Sequence, residues 1–399
     1  MQMRPCWVEI RTSFLENNYR FLKSLAAPDV EFVAILKADA YGHSLALCAP
    51  AVLRAGARWI AVTSVEEGVA ARALCPSADI AARVMVIGGV GPGQGAAVVE
   101  HGLTAVVWEP AQLDDLEMAA RAAGMRAGSL PVHLEIDTGM SRQGASLEGL
   151  APVLTRFEPG SPLKLEGVMT HLFAADESDG QINHAQLAQL QQALALVEAA
   201  GLYPDWLNVG SSASLLGGEG GAIVALAARH GMKAMLRPGL ALYGVTPRFD
   251  PPFATEEPAA LKAARSQLRP VLTWKTAVIS VRTVPAGAVV GYNGTFVATE
   301  PMRLALVTAG YADGLSRLLG NRFSLLVRGE RAPLVGRVSM DHAVLDVTGI
   351  AGVEAGDEVV ILGTQGTETI TAYDHADTSG TIPWEVFTRI GARVRRIAV

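Results

Sequence analysis

The chain has 399 residues, half of them hydrophobic and only 18% charged, with a formal net charge of −6. That length holds two or three domains with a large core, and the composition excludes a disordered chain. The acidic balance gives no electrostatic basis for binding nucleic acid.

Cys6, Cys48 and Cys75 are odd in number and show no CxxC spacing, which argues against a disulfide framework and for a reducing compartment. The start, MQMRPCWVEIRTS, lacks the apolar core of a signal peptide. No uncharged stretch is long enough to span a bilayer, so neither a membrane nor a nucleic acid is expected as a partner. A cytoplasmic location is the expectation.

In chain order, strand-like runs recur through the first 240 residues: VEFVAILK (30–37), WIAVT (59–63), RVMVIGG (83–89), LTAVVW (103–108), PVHLEID (131–137), LEGVMTHL (165–172), WLNVGSS (206–212) and AMLRPG (234–239). Between them lie segments with helical patterning, including SLALCAPAVLRAG, VEEGVAARALC, EPAQLDDLEMAARAAG and HAQLAQLQQALALVEAAG. Near-continuous apolar strands alternating with helices imply a parallel sheet covered on both faces. Eight units favour a (β/α)8 TIM-type barrel, although a large doubly wound sheet fits the same periodicity. Residues 217–235, GGEGGAIVALAARHGMKAM, begin glycine-rich and are expected to form a surface excursion. The barrel is expected to span 1–246, with strand 6–10 (CWVEI) free to join either domain. Residues 245–268 read as a linker with one short helix, and 247–399 as a mainly β C-terminal domain of short strands and turns.

The polar residues favour the barrel. Lys37, Asp137, His171, Ser211, Ser212 and Arg237 all fall at or just past the C-terminal ends of apolar runs. A barrel gathers those ends into one mouth, where catalytic groups converge. An ammonium at the tip of a core strand is solvated, ion-paired or covalently used. Taken alone, such a lysine is more often one of the first two. The later runs carry SSAS and RPGL, hydroxyls and glycines suited to a phosphate, and a lysine beside them suggests a Schiff base with pyridoxal phosphate.

The motif AILKADAYGHS resembles the cofactor-lysine motif of the alanine racemases, fold-type III pyridoxal-phosphate-dependent amino-acid racemases. The resemblance continues in family order through HLEIDTGMSRQG, MTHLFAAD, SSAS and LRPGLALYG, and then through VGYNGTF, AGYADG, VGRVSMD and IPWEVFTRIGARVRR. It implies racemisation of alanine by two bases, with pyridoxal 5'-phosphate as cofactor, no metal, and D-alanine as a product feeding peptidoglycan. It implies further that Lys37 carries the cofactor and serves one face of the substrate. Tyr311 is implied as the second base, reaching the site from the partner chain of a homodimer. Tyr41, Ser212 and the backbone at Gly239 and Leu240 are implied as phosphate contacts. Arg237 is implied to face the pyridine nitrogen, where a guanidinium can only donate, with His171 orienting it. Arg142 is implied at the cofactor's phenolic oxygen and the substrate, and Met340 at the substrate carboxylate through its N–H.

Two positions depart from the family's pattern. Trp384 stands where a tyrosine is common, at the wall of the substrate pocket, so racemisation of serine or of several amino acids is the alternative. A decarboxylase of the same architecture is disfavoured by Arg237, and a non-catalytic cofactor-binding protein by the β domain and Tyr311. Glu135 stands where the family often has a lysine that can be carbamylated. Its carboxylate is expected to point at Arg142, directly or through a bridging water.

Overall fold

Eight short parallel strands close into a barrel: Glu31–Ile35, Trp59–Val62, Arg83–Val86, Thr104–Val107, Leu130–Glu135, Leu163–Met169, Trp206–Ser211 and Lys233–Arg237. The structure, a computed structural model, describes residues 4–75, 82–254 and 256–399. The first and last strands close the ring, with Glu31 opposite Met235 and Phe32 opposite Leu236. All five residues of EFVAI are buried, as are all four of WIAV and TAVV. Strands covered on both faces need such continuous apolar runs, and that is why they were readable as strands.

Local signals set the helices of the outer layer. Ser64 accepts a hydrogen bond from the Glu67 amide and so starts Val65–Ala73. Pro110 opens Pro110–Ala122 at a position where a missing N–H does no harm. Residues 217–235 differ from the surface excursion expected of them. Gly218 adopts φ 100° and ends the short helix Ser212–Gly217, and Gly220–Arg229 is itself a helix. That helix buries Ile223, Leu226 and Ala227 and so belongs to the barrel's outer layer. The glycines terminate one helix and admit the next rather than loosening the chain. In the 245–268 segment the helix is Ala259–Gln267, and residue 255 lies outside the described residues.

A polar cluster links the third to the sixth strands. Arg83 donates to Glu166 at 2.5 Å and to the Thr104 hydroxyl at 2.8 Å, and its guanidinium lies 4.1 Å from the Trp59 ring centre. His133 is fully buried beside Glu166, 3.5 Å away. Room for its imidazole comes from Gly167, where a β-carbon would lie 2.4 Å from the ring.

A second unit comprises the described residues up to Thr12, Tyr41–Leu47 and Pro270–Val399. Its long strand Leu272–Val284 pairs antiparallel with Cys6–Ile10, Met302–Val307 and Glu358–Gln365. Cys6–Ile10 also pairs in parallel with Arg395–Ala398, so both ends of the chain lie in this sheet. Alternate burial along Cys6–Ile10 gives the sheet one packed face, where Trp274 is 1% exposed. No helix among the described residues is long and apolar enough to cross a membrane.

Gly167→Ala should drive a methyl into the His133 ring and destabilise the chain by about 1–3 kcal/mol, the usual range for overpacking. A lower urea midpoint at unchanged slope is the expected readout.

Candidate active site

Lys37 follows directly on the first barrel strand, and the chain then makes an unusual turn. Ala38, Asp39, Ala40 and Tyr41 all have φ between 52° and 55°, a left-handed turn built without glycine. Left-handed helical geometry costs an L-residue about 1–2 kcal/mol, so neighbouring contacts must hold it. The Glu67 carboxylate accepts from the Ala38 amide at 2.7 Å and from the Thr63 amide at 2.8 Å. The Ala40 amide donates to Leu36 O at 2.8 Å, and the Tyr243 hydroxyl caps Ile35 O at 2.8 Å. Strain concentrated beside one amine makes the position a candidate functional one. Burial, and then the charges of Arg142 and Arg237, hold the Lys37 ammonium below its usual range, while Glu67 and Glu135 oppose them.

Arg237 ends the eighth strand and is 5% exposed. Its Nη1 donates to Asn208 O at 2.6 Å and Asn208 Oδ1 at 2.7 Å, and its Nη2 to Thr170 O at 2.8 Å. Nη2 also reaches His171 Nδ1 at 3.3 Å. Burial, with the charges of Arg237, Arg142 and Lys37, pushes the His171 pKa down to about 3. The imidazole is therefore neutral, and because a guanidinium cannot accept, Nδ1 is the acceptor and Nε2 carries the proton. Four of the five guanidinium protons are thus engaged, and Nε–H is the one left. Burial lowers the Arg237 pKa to about 10, still cationic at neutral pH.

Beside it, the Ser212 hydroxyl oxygen accepts from the Gly239 amide at 3.0 Å and the Ala241 amide at 3.2 Å. Both lone pairs are used, so the hydroxyl proton is what Ser212 offers to an acceptor. Leu240 opens the 3-10 turn Leu240–Tyr243 just after Gly239.

Glu135 ends the fifth strand and is 2% exposed. Its direct partner differs from the one expected: Gln143 Nε2 donates to Oε2 at 2.6 Å, and no direct bond joins the carboxylate to Arg142 among the described residues. Arg142 acts on it through charge alone. The reason lies in the loop. The Ala145 amide bonds Glu135 O at 2.8 Å and the Asp137 amide bonds Ala145 O at 3.0 Å, folding residues 137–145 back on the strand. Gly144, at φ 111°, permits that return, since a β-carbon there would lie 2.5 Å from Asp137 N. Gln143 is thereby laid against the carboxylate.

In the second unit, the Trp384 indole hydrogen-bonds the Tyr41 side chain. Indole only donates, so the Tyr41 oxygen accepts this bond. Burial raises the Tyr41 pKa, and this bond opposes the rise. Tyr311 and Met340 sit on two loops tied together: the Tyr311 amide donates to Ser339 O and the Ala312 amide to Met340 O, both at 3.0 Å. The two side chains are 44% and 53% exposed. Asp313, fully buried, anchors this pair of loops. It accepts from Arg4 Nη2 at 2.8 Å, Arg393 Nε at 2.8 Å and the Gly310 amide at 2.9 Å. Asn208, Thr170, Gln143 and Asp313 escaped sequence reasoning. Gln143, Thr170 and Asp313 lay inside quoted motifs, but of these only Asp313 carried a charge as a cue.

The fold and the mouth define a class: a parallel α/β barrel with a buried amine among cations at the C-terminal ends of its strands, in a chain that also builds a β unit. The alanine racemase N-terminal domain matches residues 10–247, and the alanine racemase C-terminal domain matches 271–398. The alanine racemase of Syntrophobacter fumaroxidans is 36% identical over 389 residues, 98% of this chain and 96% of that protein. Among solved structures, the alanine racemase of Streptomyces coelicolor superposes with a TM-score of 0.87 at 32% identity, covering 99% of this chain and 98% of that one. That of Bartonella henselae, with covalently bound pyridoxal phosphate, gives 0.82 at 25% identity and covers 99% of each chain. The chain belongs to the alanine racemase family.

Asp313 offers a pH test of the loop anchor. Burial alone would raise its pKa, but the bonds from Arg4, Arg393 and the Gly310 amide outweigh that and hold it below the ordinary carboxylate range. A depressed folded pKa contributes stability above the unfolded value of ~3.9, lost as pH falls through the folded value. Asp313→Asn should therefore lower stability at pH 7 by about 1–2 kcal/mol, a modest figure because both arginines are a third or more exposed. Urea midpoints of the two proteins should converge as the pH drops below the ordinary aspartate range.

Proposed function

We propose that the chain interconverts L- and D-alanine with pyridoxal 5'-phosphate, as a homodimer whose sites each draw on both subunits. The residues present suit that cofactor. Lys37 offers an amine of lowered basicity, Ser212 a free hydroxyl proton for a phosphate oxygen, and Arg237 a single unused donor for the ring nitrogen. When bound, the cofactor withdraws electrons from the substrate's Cα and acidifies its C–H.

The protein's part is then proton placement. Racemisation removes a proton from one face of Cα and returns it on the other, so one acid–base group is needed per face. Lys37 serves one. Its neighbours Arg142 and Arg237 favour the neutral amine, the form that accepts a proton. Tyr311 of the partner subunit serves the other, and its exposure on an anchored loop supports that role. Arg237 cannot surrender its proton, so it would offer the cofactor's ring nitrogen a hydrogen bond but no proton. Reprotonation at Cα is favoured over reprotonation elsewhere. Arg142, whose charge already bears on Lys37, would serve the substrate side of the barrel mouth. The observation that carries this reading is Arg237, buried and spent on four neutral acceptors with only Nε–H to give.

The test is racemisation of single enantiomers of alanine, serine and larger amino acids, followed by chiral chromatography. Alanine should turn over best, and a chain that leaves alanine optically pure refutes the proposal. Lys37→Ala and Tyr311→Phe should each lose about 10²–10⁴-fold or more in rate. Mixing the two mutants tests the shared site. Free exchange of equal amounts makes half the dimers mixed, each with one intact site, so about a quarter of wild-type activity should return. No return after verified exchange places both groups in one chain.

A further inference from the structure

Arg237 raises a question of charge balance. Its four engaged protons all go to uncharged acceptors, two carbonyls, an amide oxygen and a neutral imidazole. A buried guanidinium without a carboxylate nearby is strongly disfavoured. Arg142 and Lys37 add two more positive charges to the same mouth. The carboxylate whose charge supports Arg237 is Glu135, which is buried at the end of the fifth strand.

We infer that Glu135 is the counter-ion of the barrel mouth and that Gln143 is the positioning residue that keeps it there. Gln143 spends both protons of one amide nitrogen, 2.6 Å to Glu135 Oε2 and 3.0 Å to Ile87 O, just past the third strand. It thus staples the ends of the third and fifth strands and stops the carboxylate from swinging out. The loop fixes Gln143 in turn. Asp137 Oδ1 accepts from the Gly139 amide at 2.9 Å and the Ser141 amide at 3.0 Å, and Ser141 takes a left-handed φ of 56°. Glu135 Oε2 is thus held by Gln143.

This arrangement has an electrostatic consequence. Burial raises the Glu135 pKa, and Gln143, Arg237 and Arg142, in that order, oppose the rise, with Asp137 acting the other way. Removing the amide tips Glu135 toward its neutral form, and the mouth then holds Arg237, Arg142 and Lys37 with Glu67 as the remaining acidic influence on the amine. The Lys37 ammonium should lose proton affinity in consequence. Gln143 therefore acts on Lys37 through Glu135, without touching it.

The inference rests on the reading of Lys37 as the working amine, so its test uses the full-length chain stripped of cofactor. The rate of Lys37 modification by an amine-reactive reagent, followed across pH by peptide mass spectrometry, gives the amine's apparent pKa. Glu135→Gln and Gln143→Met should each lower it by about half a unit or more, and Glu135→Asp should restore most of the shift. In the Glu135→Gln background, Gln143→Met should add nothing, because its effect passes through the missing charge. Urea midpoints check folding, and Gln143→Asn, one methylene too short to reach, replaces the methionine variant if that fails to fold. An unshifted Lys37 in Glu135→Gln overturns the counter-ion role. A shift in Glu135→Gln with none in Gln143→Met, or an additive double mutant, overturns the positioning role. None of these readings needs turnover, so a chain that fails to racemise alanine leaves them intact.

Discussion

The buried guanidinium of Arg237 is the constraint around which the barrel mouth is organised. A cation sealed from water is stabilised where its N–H groups find acceptors and a carboxylate supplies the opposite charge. The fold meets the first need, for four of the five guanidinium protons, from two strands or their ends: Asn208 from the seventh, and Thr170 and His171 just past the sixth. Because the acceptors are neutral, the second need falls on Glu135 across the ring. Closure of the barrel is what allows this. In an open sheet the fifth and eighth strands would lie three strands apart, whereas in a ring of eight their ends face a common centre.

The same economy governs Lys37. An amine useful for accepting protons must be partly stripped of its charge, and the cheapest way is to surround it with apolar burial and fixed cations. Arg142 and Arg237 do this directly. The left-handed turn behind Lys37 then has a physical meaning. A right-handed turn after a strand would carry the chain over the sheet as an ordinary helix, but four residues at φ near 53° reverse it sharply. Glu67 and Leu36 hold the reversal through backbone amides, so the strain is confined to the residues flanking the amine.

How much of this could be read from the sequence follows from the range of each interaction. The barrel was legible because parallel strands buried on both faces are apolar without interruption, as in EFVAI and WIAV. Lys37, His171, Ser212 and Arg237 were legible as polar residues at the ends of such runs, where a barrel converges. The helix Gly220–Arg229 was not, because the glycines before it signal a loop unless one knows that Gly218 closes a preceding helix. Gln143 and Asn208 were hidden for another reason. Their partners, Ile87 and Arg237, lie 56 and 29 residues away, and only strand register brings them together.

Glu135 marks the boundary between the two kinds of knowledge. Its charge and its position at a strand end were plain, and so was the need for a carboxylate among arginines. Its partner was not, because the choice between Arg142 and Gln143 depends on how residues 137–145 fold back. That fold turns on Gly144, whose missing β-carbon lets the Ala145 amide reach Glu135 O. Had the loop run outward, Arg142 would be free to meet the carboxylate, and the pair would neutralise each other. By interposing an amide, the protein leaves the carboxylate to balance the buried Arg237 and keeps Arg142 as a further cation acting on the same mouth.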